Sequence, residues 1–297
     1  MSADELHAIN AMLRESRLRD RPTGWPAQRA AMEASTAVLP QAAGVTLTPV
    51  TANGVPAEWQ ARPDAAGDAA ILYLHGGGYA IGSIATHRAL TTALAAAFEG
   101  RVLSLDYRLA PEHPCPAAIE DAVVAYRFLL DQGLKPGRIV IAGDSAGGGL
   151  TVATLLALRE AGLPSPAGGW CISPWVDLTN ASGTMSSKAD EDLIVSAASL
   201  DAYAAAYAAG GDLRAAPCSP LFGDLAGLPP LLIQVGSAET LLDDSLGLAA
   251  NASRADVEVR LEVWPGQQHV FHMFAPMLGE ARAAIAAGAG WVSDRIA

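Results

Sequence analysis

The run Ile139-Val140-Ile141-Ala142-Gly143-Asp144-Ser145-Ala146-Gly147-Gly148 constrains this chain more than any other stretch. Its first residues are apolar and β-branched, the composition of a buried strand. Gly149-Leu150-Thr151-Val152-Ala153-Thr154-Leu155-Leu156-Ala157-Leu158-Arg159 then reads as a helix. A strand that turns sharply at a serine and leaves as a helix is the context in which G-x-S-x-G forms a nucleophile elbow. Such a turn holds Ser145 in a strained backbone conformation. Gly143 and Gly147 leave room for strand and helix to pack around it. The new helix points its free N–H groups at the serine.

The remaining composition narrows the classes. With 297 residues, 51% hydrophobic and 17% charged, the chain suits one large α/β domain with an insertion. A net charge of −12 argues against nucleic acid or an anionic membrane as partner. Cys115, Cys171 and Cys218 are few, odd in number and widely spaced, which predicts reduced thiols in a cytoplasmic protein and no zinc site. The opening Met1-Ser2-Ala3-Asp4-Glu5 has no signal-peptide pattern, and no apolar run is long enough to span a membrane.

Along the chain, residues 4–19 place Leu6, Ile9, Met12 and Leu13 on one face of an amphipathic helix, and a second helix is expected near 28–39. Segments 45–50 and 55–61 read as a hairpin about Asn53-Gly54. Further strands are expected at 69–74, 102–106, 139–143, 168–173, 231–236 and 257–263. Helices are expected at 87–98, 116–132, 145–161, 240–254 and 277–296. The alternation predicts eight strands in a mostly parallel sheet with helices on both faces, the hairpin antiparallel at one edge. Between Trp175 and Pro217 no strand is evident, and a helix at 197–209 marks an insertion above the strand ends.

His75-Gly76-Gly77-Gly78-Tyr79 follows the apolar strand Ala70–Leu74. Its glycines let backbone N–H groups turn inward, so Gly77 and Gly78, with the N–H of Ala146, are the candidate oxyanion hole for a serine nucleophile. A phosphate-binding loop would need a lysine or a G-x-G-x-x-G pattern that is not there. The base must come late in the chain, and His269 follows the last strand at the sheet's carboxyl edge. His272, three residues on, is expected to be structural, and His75 to brace the oxyanion loop. Asp144 points away from Ser145. Trp175, Trp264 and Tyr79 suit either a pocket wall or the core.

Together, His-Gly-Gly-Gly-Tyr, Asp106-Tyr107-Arg108-Leu109-Ala110-Pro111-Glu112-His113-Pro114, Gly-Asp-Ser-Ala-Gly-Gly and Ser173-Pro174-Trp175 resemble the bacterial hormone-sensitive-lipase-like (family IV) esterases of the α/β-hydrolase superfamily. The resemblance runs from about residue 40 onward. It implies an α/β-hydrolase fold with a helical cap made of residues 1–40 and an insertion at about 180–215, the catalytic domain being 41–297. It implies hydrolysis of short-chain carboxylic esters without cofactor or metal, and a homodimer paired through sheet edges. It also implies that Asp106, Tyr107, Arg108 and Glu112 form a network supporting the oxyanion loop.

One position departs from the family pattern. Where an Asp usually follows the strand, this chain has Gly236-Ser237-Ala238-Glu239-Thr240-Leu241-Leu242-Asp243-Asp244-Ser245. Alignment on Leu-Leu-Asp-Asp-Ser makes Glu239 the acid of a Ser145–His269–Glu239 triad, with Asp243 as the alternative. A glutamate can hold the imidazole as an aspartate does if the backbone absorbs one methylene. The expected activity is a serine carboxylesterase working through an acyl-enzyme. A lactone hydrolase or deacetylase on the same machinery is the alternative, and a non-catalytic small-molecule binding protein is a third reading.

Overall fold

The structure, a computed structural model, describes residues 3–18 and 22–297. Among these, β1 (Thr46–Ala52), β2 (Val55–Ala61), β3 (Ala70–Leu74), β4 (Arg101–Leu105), β5 (Ile139–Asp144), β6 (Gly168–Ile172), β7 (Leu231–Gly236) and β8 (Val259–Trp264) form one sheet. Its order is β1-β2-β4-β3-β5-β6-β7-β8. β2 runs antiparallel to both β1 and β4, and every pairing from β4 to β8 is parallel. The nine helices among these residues are α1 (Ala3–Arg17), α2 (Trp25–Thr36), α3 (Ile84–Ala97), α4 (Ala117–Asp131), α5 (Ala146–Glu160), α6 (Thr184–Ser187), α7 (Ala197–Ala208), α8 (Leu242–Arg254) and α9 (Gly279–Ile296). This is an α/β-hydrolase fold.

The central strands are apolar throughout because both faces are covered. Along β3, Ala70, Leu72 and Leu74 face one core with α4, α5 and α8. Ile71 and Tyr73 face the other with α3 and α9. Ile139, Val140 and Ile141 of β5 are fully buried, each worth about 1.5–3 kcal/mol of hydrophobic stabilisation. Register then aligns the strand exits. Leu74 lies beside Gly143, Asp144 beside Ile172, and Gly236 beside Trp264. The residues that follow these exits therefore share one edge of the sheet, where ligands bind in open α/β folds.

The structure adjusts several elements. Helix α3 starts at Ile84, earlier than expected, because Ser83 and Thr86 form a capping box. On α1, Ile9 is buried but Met12 is 45% exposed, so the apolar face is narrower than the spacing of Leu6, Ile9, Met12 and Leu13 suggests. The short α6 has no sequence signal. Residue 19, expected to end the first helix, lies outside the described residues. No helix among the described residues is long and apolar enough to cross a membrane.

Candidate active site

Ser145 sits between β5 and α5 with φ +55° and ψ −121°, a conformation costly for any residue with a side chain. Close packing enforces it. A Cβ on Gly147 would lie 1.9 Å from the Leu74 carbonyl oxygen, and one on Gly143 would lie 2.3 Å from the Gly147 oxygen. The Ser145 N–H donates to Ile172 O (2.8 Å), and its carbonyl accepts from Trp175 N (2.9 Å) and Gly149 N (3.1 Å). The turn is thus pinned on both sides while the side chain stays half-buried at the sheet edge.

The His75–Tyr79 loop, the candidate oxyanion loop, comes off β3 beside it. Gly77 (φ +111°) and Gly78 (φ +60°) hold conformations that favour glycine. A Cβ on Gly77 would meet Ile81 O at 2.2 Å, and one on Gly78 the Tyr203 ring at 2.4 Å. Among the described residues, the N–H groups of Gly77, Gly78 and Ala146 donate to no protein acceptor. They are three open donors around one turn.

Buried polar groups brace this loop. Asp144 accepts from Tyr73 Oη (2.6 Å) and Gly76 N (3.1 Å), and lies 3.4 Å from His87 Nε2. Burial alone would raise its pKa, but His87 and Tyr73 outweigh burial and lower it. His75 bonds the Gly76 carbonyl oxygen through Nδ1 (2.8 Å) and stacks on Tyr107. Burial and the neighbouring His87 take its pKa down to about 3, so it stands neutral at physiological pH. Tyr107 Oη donates to the His75 carbonyl (2.7 Å). Arg108 turns away to Asp121 and Glu120 on α4. Glu112 instead receives Arg29 of α2, which also donates to the carbonyls of Ala80 (2.8 Å) and Ala110 (2.9 Å). Of Asp106, Tyr107, Arg108 and Glu112, which the resemblance implied as this support, Tyr107 bonds the loop directly and Glu112 reaches it through Arg29, whereas Arg108 turns to α4; Asp144, Tyr73 and Arg29 were not foreseen.

His269 and Glu239 meet across the loops that follow β8 and β7. His269 Nδ1 lies 2.8 Å from Glu239 Oε2, with both side chains buried. Glu239 Oε1 accepts from Gly236 N (2.6 Å) and Ser173 Oγ (2.7 Å), so every partner of the carboxylate is a donor. Ser173 Oγ in turn accepts from Val270 N (3.1 Å), joining the acid and base loops through one hydroxyl. Burial pulls the His269 pKa down. The hydrogen bond and charge of Glu239, together with Asp192 and Asp144, outweigh burial and leave it raised. Asp243 is engaged elsewhere, accepting from Thr184 N (2.9 Å). No hydrogen bond joins Ser145 to His269 among the described residues; such contacts are often long in ligand-free enzymes and tighten with substrate.

His272 lies in a 3₁₀ turn, Phe271–Phe274, with Nε2 3.0 Å from Gln234 Oε1, and burial takes its pKa to about 3. Trp175 and Tyr79 are fully buried core residues, Tyr79 stacking on Tyr207 at 3.8 Å. Ser173 was legible only as part of a family motif, and its bond to the carboxylate had no separate signal.

A strained serine at a βα turn, open backbone donors beside it and a buried carboxylate–imidazole pair at the same sheet edge define a serine hydrolase on an α/β-hydrolase scaffold. The chain belongs to the α/β-hydrolase fold family, which it matches over residues 71–273, and within it to the bacterial hormone-sensitive-lipase-like esterases. It is 50% identical to an acetyl-hydrolase of Streptomyces hygroscopicus over 236 residues, 80% of this chain and 79% of that one. It is 40% identical to an esterase of Acinetobacter venetianus over 253 residues, 84% and 82% of the two chains. A crystal structure of an esterase from the bacterial hormone-sensitive lipase family superposes with a TM-score of 0.97 at 44% identity, covering all of both chains.

Proposed function

We propose that this protein hydrolyses short-chain carboxylic esters, acetyl esters foremost, through a Ser145–His269–Glu239 triad and an acyl-enzyme. The observation that carries this reading is the buried Glu239–His269 pair at 2.8 Å, which commits Nδ1 and leaves Nε2 for the proton of Ser145. Ser145 Oγ attacks the acyl carbon as its proton passes to His269 Nε2. The oxyanion is held by the N–H groups of Gly77, Gly78 and Ala146, each worth on the order of 10²–10³ in kcat in such holes. The imidazolium then protonates the leaving alkoxide. Water, deprotonated by the same nitrogen, releases the acid and restores Ser145.

Two observations support a short acyl group. The Tyr203 ring lies directly over Gly78 and packs against Trp25 of α2 at 5.5 Å, roofing the oxyanion loop with aromatic carbon. The Streptomyces relative is named an acetyl-hydrolase. We assign α1, α2 and the 180–215 segment as the cap over this site. The three cysteines carry no disulfide, in keeping with a cytoplasmic protein. The test is Ser145→Ala beside wild type on p-nitrophenyl esters from acetyl to dodecanoyl. Expected are a loss of about 10⁴-fold or more in kcat and wild-type turnover falling with chain length. An active Ser145→Ala protein, or a preference for the longest esters, overturns the proposal.

A further inference from the structure

Acid and base in this site are each gripped through a chain neighbour, and the two grips belong to one short segment. Asp192 is fully buried. Its Oδ2 accepts from Thr240 N (2.8 Å) and Thr240 Oγ1 (3.0 Å), and Thr240 directly follows Glu239. Its Oδ1 accepts from Ile194 N (2.9 Å) and Val195 N (2.8 Å), folding its own segment into a tight turn. Two residues of that segment hold Gln268, which directly precedes His269. Leu193 N donates to Gln268 Oε1 (2.8 Å), and Gln268 Nε2 donates to Glu191 O (3.1 Å). From outside, Arg17 of α1 donates to the carbonyls of Asp192 (2.9 Å) and Ala189 (3.2 Å).

We propose that Asp192 is a positioning residue: through Thr240 on one side and the Gln268 bonds of its segment on the other, the 191–195 segment sets the distance and angle between Glu239 and His269. This rests on the triad reading above. The arrangement has a physical reason. Glu239 is one methylene longer than the aspartate the family pattern expects, so its backbone must be seated to bring Oε2, and not the α-carbon side of the chain, to Nδ1. A carboxylate fits Asp192's place because all four of its contacts are N–H or O–H donors, and no cation pairs with it among the described residues. Displacements near 1 Å at a reacting centre cost about 100-fold.

Asp192→Asn tests this. The amide can keep its oxygen on Ile194 and Val195, but its NH2 then faces the Thr240 N–H, so that backbone bond to the acid loop breaks while the Thr240 hydroxyl turns to accept. Expected is a fall of roughly 10- to 100-fold in kcat on p-nitrophenyl acetate, with KM changed less than threefold. The pH profile is a second readout. The charged groups facing His269 are Glu239 from the β7–α8 loop, Asp192 from this segment and Asp144 from the end of β5, all of which favour the imidazolium. Removing the Asp192 charge therefore moves the acid limb of kcat/KM to lower pH. If Asp192→Asn does not fold, Thr240→Val, which deletes only the hydroxyl bond, is expected to lose several-fold in kcat at unchanged KM. A folded Asp192→Asn with a lowered melting temperature but wild-type kcat and an unmoved acid limb makes Asp192 merely structural and overturns the inference. Ser145→Ala in the same assay reads the triad itself, so failure of that reading is distinguishable from failure of this one.

Discussion

Replacing Glu239 by glutamine removes one charge and about no volume, and the geometry dictates how the amide must sit. Gly236 N–H and Ser173 O–H both donate to Oε1, at 2.6 and 2.7 Å. The amide oxygen is therefore held there, and the NH2 is presented to His269 Nδ1. That nitrogen must then accept, which puts the imidazole proton on Nε2, where the proposed mechanism needs a base for Ser145. The inverted tautomer costs a triad on the order of 10³–10⁴ in kcat. Flipping the amide restores the tautomer but sets NH2 against the buried Gly236 N–H, an unmade bond worth roughly 1–3 kcal/mol. Neither orientation recovers the charge that stabilises the imidazolium. Kinetics on p-nitrophenyl acetate, with near-ultraviolet circular dichroism as the folding check, should show that loss. The acid limb of kcat/KM should also move to lower pH, because burial of His269 then acts with less opposition. A folded Glu239→Gln enzyme within tenfold of wild type would refute the reasoning. So would Asp243→Asn losing as much, since Asp243 is bonded to Thr184 and does not touch His269.

Three further outcomes are expected. Arg29→Gln, which frees the carbonyls of Ala80 and Ala110 behind the oxyanion loop, should lower kcat on the order of tenfold with far-ultraviolet dichroism unchanged. Gly147→Ala drives a methyl to 1.9 Å from a backbone oxygen and should lose about 3 kcal/mol or more by urea denaturation, whereas Gly137→Ala, with no atom within 4 Å, should be near neutral. His272 is buried neutral with its pKa near 3 and takes up a proton on unfolding below about pH 6.5. Its folded pKa is depressed, so the unfolded state binds more protons between these limits and stability falls as pH falls through that window. His272→Gln should flatten the pH dependence of the urea midpoint there by up to about 1.4 kcal/mol per pH unit.

Much of this architecture was readable because its signals are local. A β-branched run before Gly-Asp-Ser-Ala-Gly places Ser145 on a strand exit, and the His-Gly-Gly-Gly run after Ala70–Leu74 does the same for the oxyanion loop. Eight strands and the longer helices followed from alternating period. Element ends moved by a few residues where side chains intervened, as Ser83 did at the start of α3. The supports of the site were hidden for the opposite reason. Arg29 lies 51 residues from Ala80 in sequence, Ser173 lies 66 from Glu239, and Asp192 lies 48 from Thr240. No window of the sequence contains both partners. Within 180–215 helix α7 was legible, its Leu200, Ala204 and Tyr207 packing into the core, whereas the hydrogen bonds of Thr184 and Asp192 to the β7–α8 loop were not.

The backbone around the site has a bearing on how this enzyme can be improved. Tyr79, Ser145, Ser173 and Val270 all hold positive φ without being glycine, and each belongs to or adjoins the proposed site. Such conformations store on the order of 1 kcal/mol or more apiece. At half-buried Ser145 glycine would relieve that strain, so a laboratory search that rewards thermal tolerance alone can favour it, whereas at buried Tyr79 and Val270 the cavity left by glycine outweighs the relief. Under the proposed mechanism Ser145→Gly also removes the nucleophile. Backbone strain and the proposed chemistry thus coincide at Ser145, so gains in robustness have to be sought away from the carboxyl edge of the sheet.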